Sequence, residues 1–175
     1  MRRSLTLAAV IAAVLLTGCG GDDKNEKYRD SLNTTITENF GGARIEAAAS
    51  AAESSPESAR SVLPQIADDL EELAADLEAV KAPNAKAKAQ VSELATILRQ
   101  YAGIVVASAA NSDYSTFPLV TDLAIQHVKA SLRSINGESE ENLSDALPNY
   151  LAIVETIGKT AAIEEEGDAR SSTAH

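Results

Sequence analysis

Three stretches of this chain repeat apolar residues at alternating steps of three and four. Leu63, Ile66, Leu70, Leu73, Leu77 and Val80 form the first series, and Ala87, Val91, Leu94, Leu98, Tyr101 and Val105 the second. Leu143, Leu147, Tyr150, Val154, Ile157 and Ala161 form the third. This spacing lays an apolar seam along one face of a helix, whereas a strand, with its period of two, would scatter it over both faces. Such seams bury themselves by packing helices side by side. Composition points the same way. Alanine supplies 32 of the 175 residues, aromatic residues only 3%, and Trp is absent, which excludes a β-sandwich. A hydrophobic content of 45% excludes a disordered acidic chain. The expected fold is all-α: an up-and-down bundle of four main helices at about 61–81, 84–110, 116–136 and 143–163.

The third of these helices differs from the others. Its polar residues Asp122, Gln126, Lys129 and Arg133 gather on one narrow arc, and apolar side chains cover most of the remainder. It is therefore expected to be the most enclosed. Three helix starts share a pattern, with a capping residue three before a proline: Ser61 and Pro64, Ser115 and Pro118, Asp145 and Pro148. Ala82-Pro83-Asn84 reads as a turn, and Asn136-Gly137 as a helix stop. Ahead of the bundle domain (60–163), residues 28–59 form an additional N-terminal helical segment. Tyr28, Leu32, Ile36 and Phe40 recur there every four residues, before Gly41-Gly42 interrupts the stripe. That segment is expected to attach loosely, as an extra helix or a stalk. The acidic tail at 164–175 has no apolar stripe and is expected to be disordered.

The first nineteen residues carry an address. Arg2 and Arg3 precede Leu5–Leu16, a run of twelve residues without a charge. As a helix this run spans roughly 18 Å, short of a hydrocarbon core of ~30 Å, so it reads as a signal peptide rather than a membrane span. It ends in Leu16-Thr17-Gly18-Cys19, which resembles the lipobox of bacterial lipoproteins. The resemblance is confined to this segment. It implies cleavage after residue 18, a diacylglyceryl thioether on Cys19, and acylation of the new amino group. Two or three acyl chains make a stable anchor where one is marginal. Residues 19–27, polar and bearing two glycines, are then expected to be a flexible tether.

Charge narrows the partners. The chain carries a formal −11, and losing Arg2 and Arg3 with the leader takes it to −13. That excludes a nucleic-acid footprint, and the sequence shows no polybasic run. The domain is thus expected to be held to a membrane by lipid and away from an anionic surface by charge. The single cysteine excludes an internal disulfide framework or a cysteine-based metal cluster.

The sharpest local feature is an acidic row, Asp68, Glu72 and Asp76, flanked by Asp69, Glu71 and Glu78. Like charges four apart on a helix repel by about 0.2–0.5 kcal/mol per pair. The row reads as a solvated face first, and as a docking face for an envelope protein with a basic surface second. Carboxylates on one convex helix diverge, which disfavours Ca²⁺. His127 falls inside the apolar arc of its helix and is expected to be partly buried and structural. Tyr101 and Tyr150 sit on seams with their hydroxyls expected at the rim, and Gly158 on the seam side is expected to let two helices approach closely. No nucleophile-and-base pair, metal-ligand spacing or phosphate loop stands out, so no catalytic residue, metal or cofactor is assigned. The expectation is a bacterial envelope lipoprotein on the extracytoplasmic side of a membrane, acting as a non-catalytic binding or interaction module. A cell-wall or lipid-processing enzyme and a passive spacer are the alternatives.

Overall fold

The computed structural model describes residues 5–40, 43–137, 143 and 145–171, and the side chains of these except 5–22, 43, 51–54 and 164–171. The helices are α1 (Leu5–Phe40), α2 (Ala43–Ser54), α3 (Pro56–Ala79), α4 (Ala85–Asn111), α5 (Phe117–Asn136) and α6 (Ala146–Ser171). Among the described residues no helix is long and apolar enough to cross a membrane. Gly41, Gly42 and residues 138–142 lie outside the described residues.

Helices α3 to α6 form the expected all-α bundle, closed into a ring by packing of α6 against α3. Cross-links show the alternating direction. Glu78, late in α3, reaches Ser92 and Arg99 of α4; Gln90, early in α4, donates to Ser134, late in α5. Arg60, at the start of α3, donates to the carbonyl of Ala161, late in α6. The three seams are buried throughout, apart from the half-buried Val80 and Ala87 at the end where α3 gives way to α4.

The N-terminal segment is not loosely attached. Tyr28, Leu32, Ile36 and Phe40 are all buried, the last three almost completely, and they belong to the same core as the seams. Along this stripe α1 covers one end of the bundle: Tyr28 donates to the carbonyl of Ala87, Arg29 to that of Asn136, and Asn39 to the carboxylate of Asp76. α2 then lies over the groove between α3 and α6. A helix of twelve residues is marginal alone in water, so α2 exists because it is packed.

Covering α3 and α6 inverts the expected order of enclosure. α5 packs chiefly on α4 and α6 and keeps an open flank, where Leu119 is 64% exposed and Leu123 46%. Its buried stripe runs through Phe117, Thr121, Ala124, Ile125, Val128 and Leu132. His127 lies off that stripe and is exposed, contrary to the expectation of partial burial.

Local signals were partly displaced as well. α3 starts at Pro56, capped by the Ser55 hydroxyl accepting from the Ser58 amide, so Pro64 lies inside the helix rather than at its start. α4 is capped by Asn84, whose side chain accepts from the Ala87 amide. Before α5, the Asp113 carboxylate accepts from both the amide and the hydroxyl of Ser115, fixing the turn. Helix bounds also run through residues 20–27 and on to Ser171, where a tether and a disordered tail were expected. Adding a residue to a helix already nucleated by packed neighbours costs far less than starting one, so the turns next to the packed parts of α1 and α6 extend into these polar stretches.

At Gly158 α6 lies close against Phe117 at the start of α5. A Cβ there would lie 2.9 Å from Cγ of Phe117 and closer still to the ring edge. That ring cannot move aside freely, because Tyr101 and Tyr114 pack on it with centroids 6.3 and 6.4 Å away. Gly103, exposed in α4, has nothing within 4 Å of an added Cβ. Gly158→Ala is therefore expected to destabilise by about 1–3 kcal/mol. Gly103→Ala should stabilise by up to ~1 kcal/mol. Urea melts of both variants check this, and shifts of the same sign would contradict the packing.

Candidate functional site

Asp69 occupies a seam position of α3, three after Ile66 and four before Leu73, and is only 8% exposed. A carboxylate taken out of water needs partners to offset the lost hydration. Three helices supply them. Gln65, one turn earlier on α3, donates its amide to Oδ1 at 3.0 Å. Arg44 of α2 places its guanidinium 3.4 Å from the same oxygen, and the Tyr150 hydroxyl of α6 donates to Oδ2 at 3.5 Å. Arg44 also reaches Glu72 at 3.5 Å, so one cation serves two carboxylates.

The Tyr150 ring is held by Phe40 of α1, with centroids 4.2 Å apart and planes inclined by 39°. Beside this cluster lies a cleft of about 320 Å³, walled by Ala47, Ala48, Val62 and Ile66 and edged by Arg44, Gln65, Asp69 and Tyr150. An apolar wall with a few convergent polar groups is the usual form of a small-ligand site. Burial, reinforced by the Asp69 carboxylate, pushes the Tyr150 hydroxyl well above the ordinary phenol range. Near neutrality it is a hydrogen-bond donor and not a base. With one guanidinium facing two carboxylates, the rim carries a net negative charge that favours a ligand offering a donor or a cation.

A second buried tyrosine works differently. The Thr121 hydroxyl donates to the Phe117 carbonyl at 2.8 Å, which leaves its oxygen to accept from Tyr101 at 2.7 Å. Neither this hydroxyl nor that of Tyr150 reaches the rim. Both seams run through the middle of the bundle, so a ring placed on them buries its tip and must find a partner inside.

The acidic row is divided by the same packing. Glu72 meets Arg44, Asp76 accepts from Asn39 at 3.2 Å, and Asp68 stays exposed. A basic partner for part of the row is thus internal. Glu78, further along, forms an ion pair with Arg99 at 2.6 Å, which holds its carboxyl below the usual range. Asp69, central to the cleft, reads in the sequence only as a flank of the acidic row, although its spacing from Ile66 and Leu73 puts it on the seam. Arg44 carried no such signal, because its role depends on where α2 is laid. Among the described residues there is no group of three or more His, Cys, Asp or Glu placed to hold a metal. The Cys19 side chain lies outside the described side chains. No protein-family model, curated protein or solved structure matches the chain.

The buried phenols of Tyr101 and Tyr150 set a pH dependence. Tyr101 and Tyr150 have folded pKa values raised above the ordinary 10.0, chiefly by burial. Above pH ~10 the unfolded chain therefore releases protons that the folded chain retains, and stability, complete below that value, falls as pH rises. Urea midpoints measured across this range should decline while ultraviolet absorbance shows these phenols still protonated in the folded state. All tyrosines ionising together near 10.0 with the fold intact would contradict their burial.

Proposed function

We propose that this chain is a bacterial envelope lipoprotein, held on the extracytoplasmic side of a membrane by acyl chains on Cys19 and acting as a non-catalytic binding module. The observation that carries the anchoring is the position of Cys19 directly after Leu16-Thr17-Gly18, at the end of an uncharged run too short to span a bilayer. The cleft under α2 supports the binding role. Its polar groups are engaged with one another, the carboxylate of Asp69 by Gln65, Arg44 and Tyr150, and they are arranged to orient a molecule rather than to transfer a proton. Its ligand is a small molecule with an apolar body, seated on Ala47, Ala48, Val62 and Ile66, and a donor or cationic group turned to Asp69.

Cys19→Ser tests the anchor. The parent, expressed in a bacterium that processes lipoproteins, should enter the detergent-rich phase on temperature-induced partitioning, and the variant should leave it. A Ser variant that partitions like the parent would exclude lipid on Cys19.

A further inference from the structure

The formal charge of the mature chain is negative, but its cations are not spread evenly. From Ala79 to Ser92 the sequence holds Lys81, Lys86 and Lys88 and no acidic residue. In the fold this stretch surrounds Tyr28 of α1. Lys24, Lys27 and Lys81 line a groove of about 410 Å³ floored by Tyr28, Val80, Ala82 and Pro83, with no carboxylate among the described residues of its lining. Across Tyr28, Lys86 and Arg29 line a second hollow, and Lys88 a third. All five lysines are exposed and none forms a salt bridge within 4.0 Å among the described residues, although Lys88 shares its hollow with Glu78, whose ion pair is with Arg99. The contrast is with Arg44, Arg99 and Lys159, which are paired elsewhere on the molecule. Asp23, Glu26 and Asp30 are close by on α1 and exposed, but they do not line the groove.

Geometry ties this end to the anchor. Tyr28 lies nine residue steps after Cys19, which even fully extended reach at most about 32 Å. The far end of the bundle, where α4 stops, lies 27 helical residues away, or about 40 Å. A lipid on Cys19 therefore brings the lysine end, and not the opposite one, to the headgroups. Screening decides which charges count there. At physiological ionic strength the Debye length is ~8 Å, so carboxylates further along the bundle contribute little at the surface, and the lysines and Arg29 compete there only with the local carboxylates Asp22, Asp23, Glu26 and Asp30.

Resting on the anchoring proposed above, we infer that the Lys24, Lys27, Lys81, Lys86 and Lys88 end of the bundle docks on anionic phospholipid headgroups, so that the domain stands upright on the membrane. The phosphate of a headgroup meets the lysines around the groove, and the apolar floor of Tyr28, Val80, Ala82 and Pro83 receives its glycerol portion. This replaces the expectation, drawn from net charge alone, of a domain repelled by an anionic surface.

The test uses the lipidated protein reconstituted into vesicles of phosphatidylglycerol mixed with phosphatidylcholine, or of phosphatidylcholine alone. A fluorophore is attached through Ala85→Cys at the lysine end or Ala110→Cys at the far end, both exposed positions. Spin-labelled headgroups should quench the label at 85 several-fold more on anionic than on zwitterionic vesicles. The difference should vanish at ~0.5 M salt, where the Debye length falls below ~5 Å. The label at 110 should not respond. Replacing Lys81, Lys86 and Lys88 by Gln should abolish the difference while the protein stays with its vesicles. Equal quenching on both lipids, or equal quenching at 85 and 110, would overturn the docking. Failure of the anchor reads out separately: protein lacking lipid would not float with vesicles at ~0.5 M salt. Docking is then judged by flotation of the same protein at low salt, on anionic against zwitterionic vesicles.

Discussion

The contact between Phe40 and Tyr150, with Asp69 and Arg44 packed beneath and beside it, is the interaction on which the arrangement turns. Four antiparallel helices already enclose a core. Without α1 and α2, however, the outer faces of α3 and α6 would leave Asp69, Tyr150 and the apolar residues around them open to water. Covering them removes a large apolar area, at ~1.5–3 kcal/mol for each large side chain fully buried. It also requires a cation for Asp69, because a carboxylate covered without a partner is costly. Arg44 fills that need from the first turn of α2, and the cleft is what remains between α2 and the groove it does not quite fill.

The distribution of exposed residues follows from the same placement. α3 and α6 are flanked by helices on more sides than α5, so they bury broad faces while α5 leaves Leu119 and Leu123 in contact with solvent. Acidic residues of α3 divide by neighbour: Asp69, Glu72 and Asp76 meet the N-terminal segment, Glu78 meets α4, and Asp68 faces water. The lysines around Tyr28 gather at the one end where the chain departs toward Cys19.

Periodicity made the bundle legible. The steps of three and four at Leu63–Val80, Ala87–Val105 and Leu143–Ala161 name residues that prove buried, the half-buried Val80 and Ala87 apart, because a seam of that spacing has one way to leave water. The turn at Asn84 and the close approach at Gly158 were readable for equally local reasons. What could not be read was whatever depends on long-range placement. Thirteen residues with four apolar anchors, Tyr28 to Phe40, look the same whether they cap a bundle or form a stalk. Their docking decided the interior position of the Tyr150 ring, on which Phe40 packs, and the partner of Asp76, which is Asn39. Proline was misleading for another reason: Pro64 resembles a helix start, but the better cap at Ser55 begins the helix earlier, and the packed seam carries it through. Net charge, a sum over the chain, does not show that Lys24, Lys27, Lys81, Lys86 and Lys88 lie around one end.

The central claim is that α1, from Tyr28 to Phe40, is part of the cooperative core and not an appendage. Native-state hydrogen exchange on the full chain measures it directly, because each amide reports the free energy of the opening that exposes it. The amides of Leu32, Ile36 and Phe40 should exchange with the same free energy, and the same dependence on denaturant, as those of Leu73 in α3 and Val154 in α6. Exchange of the α1 amides through a separate opening of much lower free energy, while α3 and α6 stay protected, would contradict the account.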